Sequence, residues 1–179
     1  MRFEAENIRK PTGSLDFYPT PDGATESLIQ MERFDKTILE PANGQGHLSS
    51  ILEAAGYSVV KRDVQTGHDF LKCQDKFGSV VTNPPFNLAN QFAIKCKEVA
   101  ENKFALLLRL AFLEGQRRYE FFQDDKFPLS RVLVFSKRIR FYAGNIGDNK
   151  GGMIPYAWFV WARAHKGRPS IDWIKPNKT

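Results

Sequence analysis

Thr37-Ile-Leu-Glu-Pro-Ala-Asn-Gly-Gln-Gly46 is the stretch on which the fold turns. Thr37–Glu40 is a short apolar run suited to a buried strand, and Pro41–Gly46 must be a turn. Leu48, Ile51, Leu52 and Ala55 then mark one face of a helix, with Gly56 placed to cap its C-terminus. A strand, a glycine turn and a helix in succession make a βα unit. Gly44 and Gly46 allow the backbone to approach a ligand closely, and the start of the helix presents free N–H groups. Asp63 lies 19 residues after Gly44, at the end of the next strand-like run, Tyr57–Val60. An acid there can bind ribose hydroxyls. Ser49 stands where a dinucleotide fingerprint has its third glycine. The pattern therefore favours a nucleoside ligand without a pyrophosphate, or else an ordinary βα loop that uses its glycines only to turn.

Outward from this unit the same alternation continues. Residues 1–15 are polar and aperiodic, an N-terminal arm, and Asp16–Pro21 is held extended by its prolines. Asp22 offers an N-cap to a helix marked by Ala24, Leu28, Met31 and Phe34. Ser79–Thr82 and Phe104–Leu108 read as buried strands, separated by a helical stripe at Leu88, Phe92, Cys96 and Val99. Residues 114–123 read as helical. Val132–Phe135 and Tyr156–Trp161 are two further strands with no helical period between them. Strands alternating with helices predict an α/β fold, a mostly parallel sheet with helices on both faces. The strand that follows without a crossover helix is expected to run antiparallel. The whole chain, 1–179, reads as one domain ending in a basic tail, 163–179.

Asn83-Pro84-Pro85-Phe86 closes the third strand abruptly. Two consecutive prolines carry no N–H, so this loop cannot close on itself and its carbonyls stay open to a ligand. Asn83 adds a side-chain acceptor and Phe86 a flat apolar surface. Two rigid acceptors beside a stacking surface suit a planar amino group. Such a nitrogen is a poor nucleophile, because its lone pair is delocalised into the ring. Accepting both of its hydrogens favours a pyramidal nitrogen and localises that lone pair, so no strong base is needed. A strand-terminating proline turn is the plainer alternative.

Composition narrows the function class. With 42% hydrophobic residues the chain is not a disordered one. The longest apolar run, Ala157–Ala162, is six residues, too short to cross a membrane. The charged start, Met1-Arg-Phe-Glu-Ala-Glu, lacks the apolar segment of a secretory signal. Cys73 and Cys96 stand apart, without CxxC spacing and with only three histidines. No metal site or disulfide framework follows, and a reducing cytoplasm is the expected location. Residues 131–179 hold ten Lys or Arg against two acids, while residues 1–130 are slightly acidic. A basic quarter of this kind fits either a polyanionic partner or a merely soluble surface.

Taken together, these motifs resemble the class I S-adenosylmethionine-dependent amino-methyltransferases, in particular the DNA adenine-N6 enzymes, including their small phage and prophage forms. The resemblance covers roughly residues 16–162. Phe17-Tyr18-Pro-Thr20-Pro21 resembles the N-terminal cofactor-side motif, and Glu40-Pro41-Ala42-Asn-Gly44-Gln-Gly46 the methionine-binding loop. Asp63 matches the ribose-binding acid, and Asp69-Phe70 the pair that holds the cofactor adenine. Asn83-Pro84-Pro85-Phe86 matches the catalytic tetrapeptide, which in the DNA enzymes usually begins with Asp. The resemblance implies a Rossmann-like fold with a seven-stranded sheet and an antiparallel last strand. It also implies S-adenosylmethionine as cofactor and a nucleic acid, DNA above all, as partner. Arg140-Phe141-Tyr142 resembles the region that places an aromatic against a flipped base, or else is core. Arg163, Lys166 and Arg168 are the candidate contacts to nucleic acid in the tail. Arg109 is either a target-side residue or a salt-bridged core charge. The short tail leaves no room for a target-recognition domain, so weak specificity, reading by loops or a separate specificity subunit is expected. The same chemistry on RNA bases or a protein glutamine amide, and a non-catalytic nucleic-acid-binding subunit, are the alternatives.

Overall fold

The computed structural model describes residues 19–139 and 154–175. They form one seven-stranded sheet in the order β2-β1-β3-β4-β6-β5-β7. The strands are β1 (Thr37–Glu40), β2 (Ser58–Lys61), β3 (Phe77–Thr82), β4 (Ala100–Arg109), β5 (Leu129–Phe135), β6 (Tyr156–Ala162) and β7 (Ser170–Ile174). β6 runs antiparallel to both β4 and β5, and every other pairing is parallel. The expected Rossmann-like sheet with its antiparallel strand at Tyr156–Trp161 is therefore present. The seventh strand is β7, which lies inside the segment read as a tail and pairs parallel to β5. Its alternation, Ile171 and Trp173 exposed and Ile174 buried, is too short and too polar at Asp172 to show as a strand in the sequence.

Alternation along the central strands builds two cores. Phe104, Leu106 and Leu108 of β4 and Ala157, Phe159 and Trp161 of β6 face one side. There they meet α3 (Ala89–Val99) through Phe92, Ala93, Cys96 and Val99. Ala105, Leu107, Tyr156, Trp158 and Val160 face the other side. They meet α1 (Asp22–Met31) through Ala24 and Leu28, and α2 (His47–Ala54) through Leu48 and Leu52. Both faces of the sheet are covered, as parallel strands require. The lower end of α1 is tied to the sheet by Glu32, which pairs with Lys103 at 2.8 Å and Arg131 at 3.1 Å. The helix expected at 114–123 is broken. Gly115 takes φ +115°, so two 3-10 turns precede a four-residue α4, Tyr119–Phe122.

The chain leaves β1 toward β2 on one side, and leaves β3 toward β4 on the other. The crevice above β1 and β3 is thus the topological switch point, where open α/β sheets bind their ligands.

Two tryptophans of β6 test the packing. Trp158 and Trp161 are both fully buried, but only Trp158 donates its Nε1–H, to the Ala24 carbonyl at 2.8 Å. Trp161 Nε1 is buried without a partner among the described residues. Trp158→Phe removes this hydrogen bond, although the Ala24 carbonyl keeps its helical partner four residues on, and is expected to cost about 0.5–1.5 kcal/mol more than Trp161→Phe. Chemical denaturation of the two variants measures the difference, and equal losses would contradict it.

Candidate functional site

The glycine turn and the Asn-Pro-Pro-Phe loop leave the sheet from adjacent strands at the switch point. Their side chains meet just below the crevice. Glu40 is 1% exposed, and its Oε1 accepts from Thr82 Oγ1 at 2.6 Å and from the Ala42 N–H at 2.9 Å. Its other oxygen, Oε2, is buried with no hydrogen-bond partner among the described residues. Burial pushes the Glu40 carboxyl up to about 8, and the charge of Asp63 adds to the rise, while Thr82 and Ala42 oppose it. At neutral pH this group therefore holds a proton in the protein alone.

Above it the turn is braced from β2. The Gly44 N–H donates to Asp63 Oδ2 at 2.8 Å and the Gln65 N–H to Asp63 Oδ1 at 2.9 Å. The Asn43 N–H donates to the Arg62 carbonyl at 3.0 Å. Gly44 has φ +50° and Gly46 φ +83°, a conformation that side chains disfavour, so the two glycines are what let the turn close onto α2. Asp63, expected at the ribose, is first of all the brace of this turn. Each of its oxygens retains a further lone pair for a ligand hydroxyl.

The remaining cofactor-side candidates lie around the same crevice. Asp69 Oδ1 accepts from the Leu71 N–H at 3.0 Å, and Phe70 is buried against Phe92 with ring centroids 5.0 Å apart. Pro41, Arg62, His68, Asp69 and Phe70 line a cleft of about 330 Å³. Thr20 is buried and accepts from Asn83 Nδ2 at 3.1 Å, next to Pro21, the N-cap of α1. Tyr18 lies outside the described residues. Glu40, Pro41, Ala42, Gly44, Gly46, Asp63, Thr20 and Asn83 are thus brought together by the fold, with Asp69 and Phe70 beside them.

Phe86 sits at the far side of the tetrapeptide. Its ring packs against Tyr156 at 5.3 Å, and the Arg109 guanidinium lies over it at 5.1 Å. Arg109 is exposed at the end of β4, which resolves its two readings in favour of a surface residue at the crevice edge. Thr82, Arg109 and Tyr156 are site residues the sequence did not single out for these contacts. They come from three strands, and no local spacing marks them.

The tail candidates fall elsewhere. Because β6 runs antiparallel, its last residue, Ala162, pairs with Lys103 near the start of β4. Arg163, Lys166 and Arg168 occupy the turn between β6 and β7, on the edge where the parallel strands begin. A strand of this length separates the two edges by roughly 20 Å. Arg163 is moreover engaged, donating to the Glu101 carbonyl at 2.7 Å and lying over the Phe127 ring at 4.5 Å. These three therefore lie at the edge of the sheet opposite the crevice. Arg140, Phe141 and Tyr142 lie outside the described residues. Among the described residues no cluster of metal-ligating side chains occurs, and no helix is long and apolar enough to cross a membrane.

The Glu40 carboxyl sets a pH dependence. Its proton is held more tightly in the folded protein than in the unfolded chain, where its ordinary value is 4.5. The stabilisation is complete below 4.5 and is lost as pH rises toward about 8. The slope is at most about 1.4 kcal/mol per pH unit. Thermal unfolding without added ligand should show Glu40→Gln losing this slope between pH 5 and 8. An unchanged pH profile would mean the carboxyl is not buried as a neutral group.

No known family's sequence pattern matches the chain, and no curated protein matches it by sequence. Solved structures do. A proposed RNA methyltransferase from Pyrococcus horikoshii superposes with a TM-score of 0.65 at 17% identity, over 89% of this chain and 93% of that one. The modification subunit of a proposed type I restriction enzyme from Vibrio vulnificus gives 0.59 at 14% identity, over 94% of this chain. This chain spans about half of that subunit, 49% of its length. An S-adenosylmethionine-dependent O-methyltransferase from Thermotoga maritima gives 0.52 at 13% identity, over 82% of this chain and 66% of that one. The sheet order, the antiparallel β6 and these superpositions agree on one conclusion: the chain has the Rossmann-like fold of these methyltransferases.

Proposed function

We propose that the protein transfers a methyl group from S-adenosylmethionine to the exocyclic N6 amine of adenine in DNA. The observation that carries this reading is the placement of Asn83-Pro84-Pro85-Phe86 beside the glycine turn, coupled to it through the Thr82–Glu40 hydrogen bond. An amine-binding loop and a nucleoside-binding loop share one crevice. The fit to the cofactor rests on Glu40: a buried carboxyl oxygen without a partner, beside a glycine turn, suits a cationic ligand. When bound, S-adenosylmethionine supplies an electrophilic methyl group. Gly44, Gly46, Pro41 and Ala42 shape the turn that holds it, Asp63 offers acceptors to its ribose, and Asp69 and Phe70 border its adenine.

Asn83 and the Pro84 carbonyl accept the two hydrogens of the target amine and localise its lone pair toward the cofactor side. Phe86 offers the face on which the base stacks. Because a duplex hides the amine, the base must leave the stack, at a cost of a few kcal/mol. Unpaired or easily opened adenines are the preferred targets. The RNA form of the same reaction is the second reading. It is favoured by the Pyrococcus horikoshii structure, which this chain matches over nearly the full length of both.

Phosphate contacts on this reading come from the crevice edge. Lys137 and Arg138 follow β5 and Lys175 follows β7, all exposed. Ser136 holds the two segments together, its N–H and its hydroxyl both donating to the Ile174 carbonyl, at 2.9 and 3.0 Å.

The decisive experiment incubates the protein with methyl-labelled S-adenosylmethionine and, in parallel, single-stranded DNA, duplex DNA, RNA and protein extract, followed by nucleoside digestion. Labelled N6-methyladenine from DNA is expected, with single strands preferred. Label only in cytosine or in glutamine would overturn the assignment. In the same assay Asn83→Ala should lose turnover by 100-fold or more, roughly what removal of a transition-state acceptor costs, with a far smaller change in cofactor affinity.

A second measurement separates the two basic regions. Replacing Lys137, Arg138 and Lys175 together by Gln should weaken DNA binding and lower the slope of log K against log salt by about 2–3. The corresponding triple variant of Arg163, Lys166 and Arg168 should leave that slope nearly unchanged, and the reverse result would return the contact to the far edge.

A further inference from the structure

The Phe86 ring, offered above as the stacking surface for the base, carries the guanidinium of Arg109 over it at 5.1 Å. Tyr156 packs on the same ring at 5.3 Å. Arg109 and Tyr156 are register partners across the β4–β6 pair, so the two side chains leave the sheet on the same side. β4 and β6 each carry an unbroken run of five or more buried residues, and they fix where Arg109 starts.

Arg109 has no carboxylate in ion-pair range and no hydrogen-bond partner among the described residues. Among the described residues its one specific contact is the ring. An exposed arginine normally turns to water or to an acid, and this one lies over an aromatic ring at the mouth of the crevice.

We infer that Arg109 is the clamp for the target base, which enters between the Phe86 ring and the Arg109 guanidinium and is held by stacking on both faces. The inference rests on the nucleobase reading of the site. Two layers of van der Waals contact need about 7–8 Å between ring and guanidinium. From 5.1 Å the guanidinium must lift by only about 2–3 Å, well within the reach of a flexible arginine stem. The energetics favour the exchange. An exposed cation–π contact is worth about a two- to fivefold factor, whereas a base stacked on an aromatic ring is worth about five- to 150-fold. The arginine contact is weak enough to open for a base, which gains more from the ring than the arginine does. A planar guanidinium can then stack on the outer face of the base, which a lysine ammonium cannot do. In the absence of nucleic acid the arginine covers the apolar face of Phe86 and keeps the slot from collapsing.

Two measurements test this on the full chain. The first is methylation of a mixed-sequence single-stranded DNA by the wild type, Arg109→Ala and Arg109→Lys. Arg109→Ala should raise KM about tenfold or more with kcat within a few-fold, unchanged cofactor affinity and an unchanged salt slope of DNA binding. Arg109→Lys should not rescue it. Rescue by lysine, or a salt slope lowered by about one in Arg109→Ala, makes Arg109 a phosphate contact and overturns the clamp. The second uses an oligonucleotide with 2-aminopurine in place of adenine, whose fluorescence is quenched by stacking. The wild type should quench it and Arg109→Ala should quench it markedly less. Equal quenching by both, or none by the wild type, overturns the clamp. A wild type that quenches in an Arg109-dependent way but transfers no methyl group to DNA or RNA leaves the clamp standing and refutes the proposed reaction alone.

Discussion

The site depends on one hydrogen bond, from the Thr82 hydroxyl to the Glu40 carboxyl at 2.6 Å. β1 and β3 are parallel neighbours, and above them the chain departs in opposite directions, opening a crevice. The bond ties the two strand ends at the floor of that crevice. The glycine turn starts one residue after Glu40, and the Asn-Pro-Pro-Phe loop one residue after Thr82. The glycine turn and the Asn-Pro-Pro-Phe loop are thereby set in fixed relation by two side chains. Burial of a carboxyl at this point carries a physical consequence. An isolated buried charge is too costly, so the group keeps its proton until a cation or solvent compensates it.

Everything around this pair is built to keep it from moving. The alternating side chains of β4 and β6 fill both layers, and five phenylalanine rings, among them Phe104, Phe112 and Phe159, gather about Trp161. Asp63 reaches from β2 to hold the glycine turn, and Thr20 reaches from the entry to α1 to hold Asn83. The candidate site residues therefore sit on loops, while their positions are set by strands. Phe86, Tyr156 and Arg109 extend the same arrangement to the crevice mouth, with two of the three anchored at paired positions of the central strands.

Charge follows the edges of the sheet rather than the order of the chain. The basic last quarter is one block in sequence, but the antiparallel β6 and the parallel β7 divide it. Lys137, Arg138 and Lys175 fall at the crevice edge, and Arg163, Lys166 and Arg168 at the opposite one. A net charge counted along the chain carries no information about which edge bears it.

The sequence by itself determined the alternation of strands and helices, the parallel sheet, the antiparallel strand at Tyr156–Trp161 and the two loops that face each other. These features are local. Glycines in a turn, prolines after a strand and apolar periodicity each act within a few residues, so they can be read without knowing what lies across the sheet. The seventh strand was not legible, because β7 is an edge whose Ile171 and Trp173 stay exposed and whose one deep anchor is Ile174. Nor was the broken helix at 114–123, where the turn at Gly115 overrides a good periodic pattern. Only the tertiary structure decided that Asp63 braces Gly44, that Thr82 holds Glu40, that Arg109 covers Phe86 and that the tail arginines lie far from the crevice. Each of these joins residues from different strands or loops, and strand order and direction, not spacing along the chain, set which side chains meet.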